Sequence, residues 1–186
     1  MALRSRLQAR LVRPRLLQIC LVVCDVDGVL TDGGLHYDET GQVLKRFDVR
    51  DGLAVRMLQR SGITVALISG GRSGAIEQRA RHLDIEHCRT GVGDKPAALQ
   101  QLQRQLTFEI NQTAFLGDDL NDLAVRPLTG LLVAPKDAVG ALRRRADWVL
   151  QRSGGEGALR EFTDALLASQ GHLQALHRHG WRAVNA

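Results

Sequence analysis

The sequence predicts an α/β fold: a doubly wound parallel sheet in a single domain. Short continuous apolar runs recur along the chain, as strands covered on both faces require. Segments of helical periodicity separate them, and such alternation implies parallel βαβ units. The 186 residues are one ordinary domain's worth of chain, enough to bury its own core.

Residues 1–16 form a basic lead-in, with Arg4, Arg6, Arg10, Arg13 and Arg15 and no acid. This pattern resembles an organelle transit peptide; a solvated amphipathic helix leading into the first strand is the favoured reading. The first strand is Leu21–Cys24, and residues 63–68, Thr113–Leu116 and Leu131–Ala134 supply three more, with a short fifth at 148–150. Helical patterns fill residues 53–60, 75–83, 97–106, 139–145 and 158–169. Asp94 is placed to cap the third of these, with Pro96 in its first turn. Residues 34–37 and 43–47 flank a turn-like Asp38-Glu39-Thr40-Gly41, which reads as a β-hairpin flap over 34–48. No insertion is long enough for a cap domain. The tail, 171–186, holds His172, His177, His179 and Trp181 without clear periodicity, and is expected to be mobile or ordered by a neighbouring chain.

Composition excludes several classes. Lys and Arg number 25 against 20 Asp and Glu, for a net charge of +5. A basic chain permits nucleic-acid binding, but aromatics are only 4%, poor for stacking on bases, so no nucleic-acid partner is expected. The longest nearly apolar stretch, 16–24, contains Gln18 and falls short of the ~20 residues of a membrane span. Three cysteines, Cys20, Cys24 and Cys88, are an odd number with no metal-binding spacing, which suits reduced thiols and a cytoplasmic location.

Four loops carry chemistry. Asp25-Val26-Asp27-Gly28 follows the first strand, and alternation along an extended chain would put both acids on one side. Paired carboxylates repel unless a cation intervenes, and Mg²⁺ favours one or two carboxylates plus waters and phosphate. Ser69-Gly70-Gly71-Arg72 ends the second strand and offers a hydroxyl beside accessible N–H groups, an anion nest. Lys95 stands at a helix start, where the dipole disfavours a cation unless it faces an anion. Gly117-Asp118-Asp119-Leu120-Asn121-Asp122 puts three acids within five residues and lacks the spacing of a calcium EF-hand. Each motif alone has a bland reading as a turn, a cap or a solvated loop. Parallel strands would carry all four to one edge of the sheet, and that convergence is the stronger signal.

These motifs resemble those of the haloacid dehalogenase superfamily of phosphatases, over residues 21 to about 167. Asp25-Val26-Asp27-Gly28-Val29-Leu30-Thr31-Asp32-Gly33, the hairpin in place of a cap, Val49-Arg50-Asp51-Gly52, the run from Ser69 to Ser73, and the run from Gly154 to Glu161 resemble its small capless subgroup. That subgroup acts on 3-deoxy-D-manno-octulosonate 8-phosphate and on related sialic-type nine-carbon 9-phosphates. The resemblance implies Asp25 as nucleophile and Asp27 as general acid, then base. It implies Mg²⁺ on Asp25, the carbonyl of Asp27 and Asp118. Lys95 and Ser69 would bind the phosphoryl group with the N–H groups near Asp27 and Gly70. Asp119 and Asp122 would orient Mg²⁺ waters and Lys95. Lys45, Arg50 and Arg72, in the loops or hairpin near the site, would read an acidic sugar phosphate. The family's pocket is finished by a neighbouring subunit within a tetramer, so a homotetramer is expected.

A receiver domain shares the acids, hydroxyl and lysine, but its phosphorylated Asp ends a later strand. The order here disagrees.

Overall fold

The structure is a computed structural model that describes residues 2–72 and 74–180. α1 (Ala2–Leu16) leads into β1 (Leu21–Cys24). It turns Val12 and Leu16 inward and leaves Leu7 and Leu11 exposed. Polar contacts hold it to the domain: Arg15 pairs with Asp147 at 2.9 Å, and Gln170 donates to the carbonyls of Leu16 and Ile19 at 3.0 and 2.9 Å.

After β1 the chain makes the hairpin of β2 (His36–Tyr37) and β3 (Val43–Leu44). Asp38 closes the turn, accepting from the N–H groups of Thr40 and Gln42 at 2.9 and 2.8 Å. α2 (Val49–Arg60) follows, capped by Asp48, whose carboxylate accepts from the Arg50 N–H at 2.7 Å. The cap starts this helix before residue 53, so Arg50 lies inside a helix and not in a loop as expected. Then come β4 (Thr64–Ile68), α3 (Gly74–His82), β5 (His87–Arg89) and α4 (Lys95–Leu106). The Asp94 carboxylate caps α4 through the Ala97 N–H at 2.9 Å. β6 (Thr113–Leu116), α5 (Leu120–Leu123), β7 (Leu131–Ala134), α6 (Gly140–Arg145), β8 (Trp148–Val149), α7 (Ala158–Ser169) and α8 (Leu173–His179) complete the described chain. Of the tail, expected to be mobile or ordered by a neighbouring chain, residues 173–179 are helical, and Trp181 lies outside the described residues. Ser73 also lies outside them.

The sheet runs β5-β4-β1-β6-β7-β8, all parallel. β5 is the strand the sequence reading lacked, since His-Cys-Arg carries no apolar run and stays half-buried at the sheet edge. Strand alternation splits the core into two layers. Val22 and Cys24 join Leu58, Leu67 and Phe162 on one face, and Leu21 and Val23 join Leu99, Phe115 and Leu142 on the other. Burying each large side chain contributes roughly 1.5–3 kcal/mol. Phe162 is fully buried where α7 covers the sheet beside α2. Truncating it to Ala would cost about 3–5 kcal/mol.

The chain moves from β1 to β4 and β5 on one side, then returns to β6 on the other. The order therefore reverses beside β1, the position where open α/β sheets build their sites. Cys24 pairs with Leu67 and with Leu116, so the residues just after these three meet at one edge. All three cysteines are free thiols. Among the described residues no helix is long and apolar enough to cross a membrane.

Candidate active site

The Asp25 N–H still bonds the Leu116 carbonyl at 2.9 Å, which continues the sheet by one residue. The chain then turns: the N–H groups of Val29, Leu30 and Thr31 all point to the Val26 carbonyl at 3.3, 2.9 and 3.1 Å. Extended alternation therefore does not govern Asp27, and the two acids have different neighbours. Asp25 accepts from the Val26 N–H at 2.7 Å and pairs with Lys95 at 2.8 Å. Asp27 accepts from Lys45 at 2.5 Å and from the Thr31 hydroxyl at 3.3 Å. Lys45 comes from the end of the hairpin, and its side chain is only 2% exposed.

Lys95 is the hub. Placed at the start of α4, its ammonium bridges Asp25 and, at 2.6 Å, Asp122. Burial would lower its pKa, but Asp25 and Asp122 outweigh burial and raise it. Asp122 spends its other oxygen on the N–H groups of Asp118 and Asp119, at 2.9 and 3.3 Å. It thus fastens the acidic loop to Lys95. Asp119 is exposed and accepts from the Leu120 N–H at 2.6 Å, capping α5 rather than touching Lys95.

Carboxylate oxygens of Asp25, Asp118 and Asp122 all lie within 4.8 Å of one another. Burial, then Asp122, raise the Asp25 pKa to about 6 against the pull of Lys95. Burial, then Asp25 and Asp122, raise that of Asp118 to about 7. Three acids facing one ammonium leave an excess of negative charge in a dry place. A hard divalent cation with oxygen ligands fits this donor set. Gly28 allows the approach: its φ is +80°, and a Cβ there would sit 2.1 Å from Asp118 Oδ2.

The Ser69 loop lies between Asp27 and the acidic loop. Ser69 is buried, and its hydroxyl accepts from the Gly71 N–H at 3.1 Å. A Cβ on Gly71 would lie 2.9 Å from Asp27 Oδ2, and one on Gly70 would lie 3.9 Å from Asn121 Nδ2. Arg72 packs along Gly91, where a Cβ would come within 2.5 Å of its Nε. Arg50 is engaged with Asp48 at 2.6 Å. So Lys95 joins Asp25 and Asp122, Asp122 holds the Asp118 N–H, Lys45 pairs with Asp27, and the Ser69–Gly71 turn lies beside Asp27, while Arg50 and Asp119 serve helix ends.

No protein-family model matches the chain. The 3-deoxy-D-manno-octulosonate 8-phosphate phosphatase of Yersinia pestis is 42% identical over 160 residues, 86% of each chain. The chain belongs to this phosphatase family. Among solved structures, the Moraxella catarrhalis phosphatase of this name, in complex with a magnesium ion, a phosphate ion and a KDO molecule, superposes with a TM-score of 0.88 at 34% identity, covering 91% of this chain and 97% of that one. A putative haloacid dehalogenase superfamily hydrolase from Legionella pneumophila gives a TM-score of 0.89 at 36% identity over 95% and 97%. This phosphatase fold contains two contacts that the motifs do not reveal. Thr31 on Asp27 and Arg46 on Asp32, at 3.3 and 3.6 Å, depend on how the loop and hairpin fold. Asp51 did leave a trace: it stands four and seven residues before Val55 and Leu58, an acid on the apolar face of α2. It is 3% exposed, and burial raises its pKa to about 6.

Proposed function

We propose that the protein is a Mg²⁺-dependent phosphomonoesterase that hydrolyses 3-deoxy-D-manno-octulosonate 8-phosphate to the free sugar acid and inorganic phosphate. The observation that carries this reading is the buried cluster in which Lys95 bridges Asp25 and Asp122 beside Asp118. The name of the Yersinia relative and the contents of the Moraxella complex supply the substrate class.

One carboxylate oxygen of Asp25 bonds to phosphorus as the ester P–O bond breaks, and the departing alkoxide takes a proton from Asp27. Water then attacks phosphorus in the aspartyl-phosphate. Asp27 takes its proton, and Asp25 leaves as a carboxylate. Asp25, Asp118 and the carbonyl of Asp27 would hold Mg²⁺, which when bound offsets the repulsion between carboxylate and phosphate. Lys95, kept protonated by its two acids, faces a phosphoryl oxygen and fixes Asp25. Ser69 and the Gly70 N–H take the remaining oxygens. Asp122 orients Lys95 and the acidic loop, and Asp119 shapes the loop by capping α5. Lys45 and Arg72 would read the sugar acid, with Arg50 steadying the hairpin's exit through Asp48.

Two features support assembly as a homotetramer in the cytoplasm. Leu35, Tyr37 and Leu44 leave the hairpin with an exposed apolar surface, which a second copy would cover. The three thiols are unpaired. Sedimentation velocity tests the assembly. A phosphate-release panel with and without Mg²⁺ tests the activity, with fastest turnover expected on the eight-carbon acid. Faster release from a nine-carbon acid 9-phosphate would move the substrate and keep the chemistry; no Mg²⁺-dependent release would overturn the reading.

A further inference from the structure

The turn at 154–157 and the buried Asp51 have no part in the steps above, yet the turn presses on the loop that carries Asp27. A Cβ on Gly154 would lie 1.9 Å from the Gly28 carbonyl oxygen and 2.9 Å from that of Thr31. Gly155, at φ +64°, leaves no room either: a Cβ would lie 2.5 Å from the Asp32 nitrogen. Its N–H bonds the Val29 carbonyl at 3.0 Å. The other side of Gly28 faces Asp118, which a Cβ there would meet at 2.1 Å. The Gly28 residue is therefore held between the turn and the Asp118 carboxylate.

The turn itself is tied down from three elements. Gly154 donates to Asp137 at 3.0 Å, and Arg46 of the hairpin donates to the Gly155 carbonyl at 3.3 Å. Asp51, on α2, accepts from the N–H groups of Gly157 and Arg160 at 3.3 and 2.9 Å, and so holds the start of α7. We infer that residues 154–157, anchored by Asp51, position the Asp25–Thr31 loop against Asp118 and thereby set the affinity of the divalent-cation site. Gly154, Gly155 and Asp51 are positioning residues: none touches the reacting atoms. A methyl at 154 forces the Gly28 carbonyl to move, and the side facing Asp118 offers no space.

The inference rests on the phosphatase reading only for its kinetic half. The test measures Mg²⁺ binding by isothermal titration calorimetry, without turnover, beside kcat and KM, so the two readings fail separately. Gly154→Ala is expected to weaken Mg²⁺ binding at least about tenfold and to lower kcat at saturating Mg²⁺, as a loop misplaced by about 1 Å does. Asp51→Asn keeps the shape but replaces one acceptor with a donor, and should shift both quantities severalfold in the same direction. Leu166→Ala, a fully buried residue further along α7, should lower the melting temperature and leave Mg²⁺ affinity unchanged. Gly154→Ala with parental Mg²⁺ affinity and kcat would overturn the inference. If that variant does not fold, the same result from Asp51→Asn decides it.

Discussion

The edge of the sheet at β1 and the hairpin hold their charges in opposite ways. At the edge, Asp25, Lys95 and Asp122 are buried, and burial is the largest influence on the raised pKa of Asp25. In the hairpin, Asp38 is fully exposed, and hydrogen bonds from Thr40 and Gln42 lower its pKa. The edge is built on six parallel strands, the hairpin on two residues per strand. The six-stranded sheet thus carries the buried acids and Lys95, and a thin flap carries the cation that pairs with Asp27. Lys45 joins the two regions: it grows from the hairpin and ends on Asp27.

That contrast orders the effects of substitution. Asp25→Asn should lower turnover by on the order of 10⁴-fold or more while the protein still folds, as loss of a nucleophile does; phosphate release would expose an error if much activity remained. Lys95→Ala should cost well over tenfold in kcat and about 3–5 kcal/mol of stability, because it leaves two buried carboxylates without their partner. A surface lysine would show neither loss on denaturant titration. Lys45→Ala should act through substrate, with kcat/KM falling roughly tenfold (~1.4 kcal/mol).

Stability against pH separates the regions further. Asp25, Asp51 and Asp118 have folded-state pKa values raised to about 6, 6 and 7. Without metal, the folded chain therefore binds protons more tightly than the unfolded one, and stability falls as pH rises from about 4 to 7. Mg²⁺ should remove the part due to Asp25 and Asp118, which melting curves with and without chelator would show. The smallest effect belongs to Asp38→Asn, expected to leave turnover within about twofold. A larger loss would mean that the hairpin's turn, and not only Lys45, shapes the site.

Much of the sheet edge was legible in the chain because its signals are local. Apolar runs marked β1, β4 and β6, and an acid or hydroxyl followed close behind, whereas Lys95 follows β5. The hairpin was legible from its turn residues. Contacts made by folding were not. Lys45 reaches Asp27 across eighteen positions only because the hairpin doubles back. Gly154 meets Gly28 from the far end of the domain, and nothing in either sequence shows that the gap admits no side chain. β5 escaped because an edge strand of His87, Cys88 and Arg89 lacks an apolar signature.

A crystal structure grown with Mg²⁺ and inorganic phosphate tests the central claim most directly. The account predicts a single ion ligated by carboxylate oxygens of both Asp25 and Asp118, with phosphate between it and Lys95. An ion bound elsewhere, or an Asp25 carboxylate turned away from it, would contradict the account.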